Sequence, residues 1–440
     1  MRKVIESIKR VFFKEGLLYI FGSGCLSQIC SLLSSIIVIR GLSKIEYGGY
    51  VQANNLYSYV AIFVGMGFVS GIMQFCSEPI QEEKKVAIYK YTLIKGALFN
   101  ILLLFALALM AYIENAIGKE VAARYLIYML GYPFALYISN YFQMVLRIKR
   151  KNKEYAYVNI AYSIVLLLSN IILTRVYGVL GLILSYYIAY LISIVIGIFY
   201  CNREQFLKNV WNSNAELSNK RDIDRYSLSC AVTNFAYGIL LLIDVTIIDV
   251  VISDTEILAD YKVASSIPAA LGFVSSCLMT FYYPQIVEVY YSRNGAFKTL
   301  LTKLIFVFSG VNLFILLIGE IGASFIIGSL YGNQYISAVP LFRILLVNFF
   351  ISSTIRRIMG NLIVIIKKIR VNFYHCIIAG VLNIVLDCIL IRNMGSLGAA
   401  IATTICTVVM AILEIRYIYK YMHKENYGVI KKNEDENFSA

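Results

Sequence analysis

Charge is what this sequence has least of. Charged residues fill 15% of its 440 positions, against about 25% in an ordinary globular domain. A chain so short of charge cannot cover a water-facing surface, which argues against a soluble enzyme, a disordered segment or a fibrous repeat. Proline is scarce, at 5 residues, and there are only 2 histidines. His375 sits at the end of an apolar run and His423 in a polar tail, so neither a histidine metal cluster nor a Ser–His–Asp site is expected. The 9 cysteines contain no CxxC and no short paired spacing, Cys25 and Cys30 being the nearest. They read as small apolar fillers, and neither disulfides nor a zinc site is expected. The sequence therefore predicts no metal, no cofactor and no enzymatic activity.

Hydrophobic side chains make up 59% of the chain, with a mean hydropathy of +0.72. Such a chain needs lipid as its solvent. A bilayer-spanning helix takes about 20 largely apolar residues. Twelve runs meet that length: 17–39, 51–73, 91–113, 121–144, 156–174, 179–200, 227–249, 263–285, 301–327, 341–366, 373–391 and 397–419. The first run is too long for a cleaved signal peptide and leads straight to a second span.

Net charge is +14, from 40 Lys and Arg against 26 Asp and Glu. In a soluble protein that excess would suggest nucleic-acid binding. Here 29 of the basic residues fall in the N-terminal segment, the even-numbered loops and the tail, and 8 in the odd-numbered loops. By the positive-inside rule both termini are expected on the cytoplasmic side, which requires an even number of spans. The excess is a topology signal, and no nucleic-acid partner is expected.

The longest loop divides the spans six and six. The expected organisation is an N-terminal lobe over 1–200, a cytoplasmic inter-lobe linker over 201–226, a C-terminal lobe over 227–422 and a polar cytoplasmic tail over 423–440. The lobes echo each other. Gly178-Val-Leu-Gly181 returns as Gly395-Ser-Leu-Gly398, 217 residues on, and the same offset pairs Tyr157 with Tyr374 and Asn170 with Asp387. Tyr50 and Tyr261 open the second and eighth spans, 211 residues apart. With six spans in each, both lobes enter the membrane from one side, so the repeat is parallel. Transporters built on such repeats work near the midplane.

The segment Leu42-Ser-Lys-Ile-Glu46-Tyr47-Gly48-Gly-Tyr50, Asp244, the Asp260-Tyr261-Lys-Val-Ala264 stretch and Pro284 resemble the polysaccharide exporters of the MOP superfamily. So do Leu330-Tyr-Gly332-Asn-Gln-Tyr335, Gly360-Asn361, Asn383 and Gly395-Ser-Leu-Gly398-Ala-Ala-Ile-Ala402. Asp260 stands where that family usually has Gly. The resemblance is to Wzx-type flippases, and it implies an all-α protein: about twelve transmembrane helices in two pseudo-symmetric six-helix lobes around a central cavity. It implies export of an undecaprenyl-pyrophosphate-linked oligosaccharide, such as an O-antigen unit for lipopolysaccharide, across the bacterial cytoplasmic membrane by alternating access. The partners it implies are that lipid-linked oligosaccharide, the bilayer, a polysaccharide polymerase with other assembly proteins, and a coupling ion, H+ or Na+. The related MATE antiporters share the twelve-span plan and give the alternative function, multidrug or cation export.

Charges at bilayer depth cost about 2.5–3.5 kcal/mol each on insertion scales, which makes them functional candidates. Arg356 and Arg357 lie mid-span. Asn348, Ser352, Arg356 and Gly360 would form one helical stripe at i+4 spacing, and Ser353, Arg357 and Asn361 a second. Guanidinium groups suit a pyrophosphate or an acidic sugar; the competing role is an interhelical ion pair with Glu320, Asp244 or Asp387. Arg343, Lys95 and Arg40 are further cavity-cation candidates, or, with Arg124 and Lys262, headgroup anchors at span ends. Asp244, Glu320 and Asp387 are candidates for ion coupling or ion pairing. Asn234 and Tyr237, on the face of the seventh span that carries Asp244, are cavity candidates with Asn348 and Ser352. Tyr137, Tyr141 and Tyr237 are candidates to stack on sugar rings. Gly24, Ser27, Ser31 and Ser34 read as a close-packing seam. Gly65, Gly67 and Gly71, inside the second span, read as helix-packing glycines.

Overall fold

The computed structural model describes residues 17–437 except 78–79, 204, 214–216, 218, 293–295 and 367. Among the described residues every element is helical. The basic residues Arg2 to Lys14 lie outside them, as do the side chains of Tyr237, Pro284 and the tail beyond His423. The helices are α1 (Leu17–Gly41), α2 (Lys44–Ala61), α3 (Phe68–Ser77), α4 (Glu82–Ala116), α5 (Glu120–Tyr128), α6 (Tyr132–Ile148), α7 (Asn152–Tyr177), α8 (Val179–Asn202) and α9 (Phe206–Asn212). They continue as α10 (Lys220–Val251), α11 (Thr255–Ser292), α12 (Ala296–Tyr331), α13 (Val339–Ile351), α14 (Arg357–Ile365), α15 (Ile369–Met394) and α16 (Ser396–Asn437).

Ten helical segments are long and apolar enough to cross a membrane, and two bent pairs bring the total to as many as twelve. Each falls where an apolar run was expected. Their helices often overrun those runs: α4 starts at Glu82, nine residues before its run, and α10 at Lys220, seven before. Backbone hydrogen bonds favour continuing a helix into the polar headgroup layer, where hydropathy no longer marks it.

The second span is not one packed helix. It bends by 41° between α2 and α3, where Gly65, Met66 and Gly67 all have positive φ, at 61°, 51° and 75°. The freed Gly65 N–H donates to Asn100 Oδ1 at 2.9 Å. Packing glycines alone therefore do not describe this segment. Gly71 keeps that role, because a Cβ there would strike Ser227 Oγ. At the start of α2, Ser43 and Glu46 form a capping box: Ser43 Oγ accepts from the Glu46 N–H at 3.3 Å, and the Ser43 N–H donates to Glu46 Oε2 at 3.0 Å. Gly48 follows because a side chain would collide with the Thr255 carbonyl.

Packing divides the chain into two compact units, Met1–Thr246 with Asp254–Ala259, and Ile247–Ser253 with Asp260–Ala440. Most of α10 thus packs with the first unit. In that unit the expected linker is partly structured: α9 buries Phe206 and Val210 in a core that also holds Phe68, Tyr137, Tyr141 and Phe142. Helix α1 runs parallel to α7, joined by Asn159 to the Ser23 carbonyl (3.3 Å), Ser163 to Ser27 Oγ (2.7 Å) and Asn170 to Ser34 Oγ (2.6 Å). Of the expected seam, Ser27 and Ser34 take part, with Ser23 beside them, while Ser31 is exposed and Gly24 has no close neighbour. The second unit has its own core around Met279, Phe308, Ile358 and Leu362. Helix α16 runs through the polar tail to Asn437.

Candidate functional site

In the second unit, α13 does not pass straight into α14. A π-helical turn covers Ser352–Arg356, and the Arg357 N–H bonds to the Ser352 carbonyl, five residues back. The extra residue has polar anchors. Asn312 on α12, fully buried, donates to Thr354 Oγ1 at 3.1 Å and accepts from Ser275 on α11 at 3.0 Å. Single π turns often mark functional positions in helices. Here the turn breaks the uniform i+4 stripe expected from Asn348 to Gly360 and sends the two arginines different ways.

Arg356 faces α16, where its Nε lies 3.8 Å from Oε1 of Glu414. The Glu414 side chain is 4% accessible and that of Arg356 27%. The distance permits Coulomb attraction but no hydrogen bond, and neither Arg356 Nε nor Glu414 Oε2 has a hydrogen-bond partner among the described residues. The carboxylate that meets Arg356 is thus none of Glu320, Asp244 or Asp387. Glu414 satisfies the same criterion that singles out Arg356, a charge within an apolar run, and that signal could have found it.

Arg357 turns the other way. With Asn361 it lines an open cavity of about 320 Å³ whose other walls are Ser276, Met279, Thr280 and Tyr283 of α11. Among the described residues no carboxylate lies within ion-pair range of Arg357. Its Nε is buried without a partner. A cation beside hydroxyls and an amide, with no carboxylate near it among the described residues, can attract an anionic group.

Arg343 is paired with Glu320 at 3.8 Å, both partly exposed. Asp387 is fully buried and accepts from Asn383 on its own helix at 2.8 Å. Asn348 and Ser352 are half-buried.

In the first unit, Lys95 donates to the Tyr91 hydroxyl at 2.8 Å and pairs closely with Asp224. Tyr91 in turn donates to Asp224 at 2.8 Å. This cluster pins α4 to α10, and the charge of Lys95 is spent on Asp224, a residue of the expected linker over 201–226. Arg40 is exposed at the end of α1, and Arg124 and Lys262 are exposed too. Asp244 is buried on α10, while Asn234 is exposed. Tyr137 and Tyr141 do not suit sugar stacking: both are fully buried, and their hydroxyls donate to the carbonyls of Thr92 (2.6 Å) and Tyr89 (2.7 Å).

Residues 13–290 match the family model described as polysaccharide biosynthesis protein. The chain belongs to that family. Like other members of this MOP-superfamily group, it is a multi-pass membrane protein of transporter type. No curated protein matches it. Among solved structures it is similar to an inward-facing multidrug resistance MATE family transporter of the MOP superfamily, at 13% identity and a TM-score of 0.72, covering 90% of this chain and 94% of that one. It is also similar to the lipid II flippase MurJ in an inward closed conformation, at 15% identity and a TM-score of 0.69, covering 91% and 87%. A MOP-superfamily transporter from Pyrococcus furiosus matches at 12% identity and a TM-score of 0.62, covering 93% and 95%. At such identities the likeness is one of fold.

Proposed function

We propose that this family member is a flippase that moves an undecaprenyl-pyrophosphate-linked oligosaccharide, an O-antigen or similar repeat unit, from the cytoplasmic to the outer leaflet of the bacterial cytoplasmic membrane. The motion is alternating access, and both termini face the cytoplasm. The observation that carries this reading beyond the family is Arg357, a cation without a counter-charge among the described residues, in a cavity that Ser276, Met279, Thr280, Tyr283 and Asn361 also line. Such a site attracts a pyrophosphate or acidic sugar and repels the organic cations that a MATE-type exporter would carry.

Deleting the gene should trap the lipid-linked unit on the cytoplasmic leaflet, measured by the accessibility of its glycan in inside-out and right-side-out vesicles. Arg357→Ala should express normally yet lower translocation at least tenfold, with Arg357→Lys retaining part of it. Arrival of the unit at the outer leaflet of the deletion strain, with no second flippase present, would rule the reading out. So would transport of small organic cations by the purified protein in liposomes.

A further inference from the structure

The first unit carries a second cavity, of about 420 Å³, whose lining is entirely aliphatic and aromatic. It is lined by Ile94, Ala97 and Ile101 of α4, Phe134 of α6, and Leu207 and Trp211 of α9. Several of these are open to the outside, Ile101 and Phe134 at 47% and Trp211 at 57%. The short helix α9 is built for this place. Phe206 and Val210, four residues apart, are buried in the core, while Leu207 and Trp211, also four apart, line the groove. Residues four apart share a helix face, so one side of α9 closes the core and the adjoining side closes the groove.

Hydrocarbon lining alone would not select a ligand, because bilayer tails are as apolar as leucine. The selecting feature is the cation at the groove's end. Positions 90, 94, 97 and 101 follow one face of α4, so Lys90 precedes the apolar row by one turn. Its Nζ donates to the carbonyls of Trp211 (3.1 Å) and Ser213 (2.9 Å). Carbonyls orient the ammonium without neutralising it, and among the described residues two bonds leave one of its three N–H groups without a partner. Trp211 thus lines the groove with its side chain and holds Lys90 through its carbonyl.

The geometry points to a binding site for a single-chain anionic lipid, with the chain along α4 and the phosphate at Lys90. We assign its occupant as the polyprenyl phosphate carrier of the proposed substrate, which rests on the flippase reading. A single cavity of about 420 Å³, lined by α4, α6 and α9, is assigned one chain. On the proposed orientation Lys90 lies at the cytoplasmic end of α4, where the substrate's journey starts.

The test uses the full chain in nanodiscs of phosphatidylcholine with a diazirine-bearing polyprenyl monophosphate. Labelling should map to residues 93–101 and to α6, and unlabelled undecaprenyl phosphate should compete at least tenfold better than phosphatidylglycerol. Ala97→Trp, which puts an indole at the cavity lining, should lower labelling at least tenfold. Leu98→Trp at the lip, where Leu98 is 60% exposed, should lower it too and guards against misfolding of the first variant. Lys90→Gln keeps a donor for the carbonyls but loses the charge, so labelling should fall several-fold, and Lys90→Arg should restore it. Equal competition by phosphatidylglycerol, labelling indifferent to both tryptophans, or labelling confined to other helices would overturn the assignment. If the groove labels as expected while the deletion strain still translocates its glycan, the flippase reading fails and the lipid site stands. If deletion traps the glycan but the label lands elsewhere, only the groove assignment fails.

Discussion

Helices α7 and α15 are each 26 residues long, and each ends on a glycine with positive φ, 57° at Gly178 and 62° at Gly395. The glycine N–H bonds four residues back in both, to Thr174 and to Ile391, at 2.9 Å. Three residues further on, Gly181 and Gly398 let the returning helix close in: an added Cβ would strike the carbonyl of Leu173 in one and of Leu390 in the other. The two hairpins are thus one scaffold used twice, 217 residues apart. They part later. Gly197 on α8 lies against Phe142, where an added Cβ would come within 3.0 Å. The position 217 residues on is Glu414, which faces Arg356. The first hairpin closes without any charge at this point, so the fold does not require the ion pair of the second.

That contrast can be broken most sharply at Glu414. Glu414→Ala strands Arg356 in an apolar setting and should cost about 3–5 kcal/mol, read as a large drop in the detergent melting temperature. Arg356→Met combined with Glu414→Met should recover most of it. A double variant as unstable as the single one would mean that the second hairpin does depend on its charges. A smaller effect tests the likeness. Gly181→Ala and Gly398→Ala should each destabilise by about 1–3 kcal/mol through overpacking, and to a similar extent; a marked inequality would show that the two turns are not equivalent. The smallest effect lies at Asn170, whose counterpart is Asp387. Asn170→Ala removes the bond to Ser34 and should cost about 0.6 kcal/mol, the mean for hydrogen bonds between membrane helices.

How much of this was legible in the sequence depends on the range of the interaction. Span positions follow from local apolar length, and the repeat from glycines whose conformation side chains rarely adopt, so both could be read directly. The break at Gly65–Gly67 escaped because hydropathy carries no information on φ. The π turn at Ser352–Arg356 escaped because its cause, Asn312, lies a helix away. Pairings escaped for the same reason: Lys95 meets Asp224 across 129 residues, and nothing local in either segment names the other. The opposite directions of Arg356 and Arg357 follow from that unforeseen turn. Glu414 is different, since a lone acid in the last apolar run is a local signal that the sequence carries in plain view.

The seam between α1 and α7 has one further consequence. Its three bonds join Ser23 to Asn159, Ser27 to Ser163 and Ser34 to Asn170, each pair separated by 136 residues. Rungs of equal spacing engage together or not at all: a slip by one helical turn would unmake all three at once. Sliding would cost about 2 kcal/mol in these bonds alone, which favours moving the two helices together as one body over a shear between them.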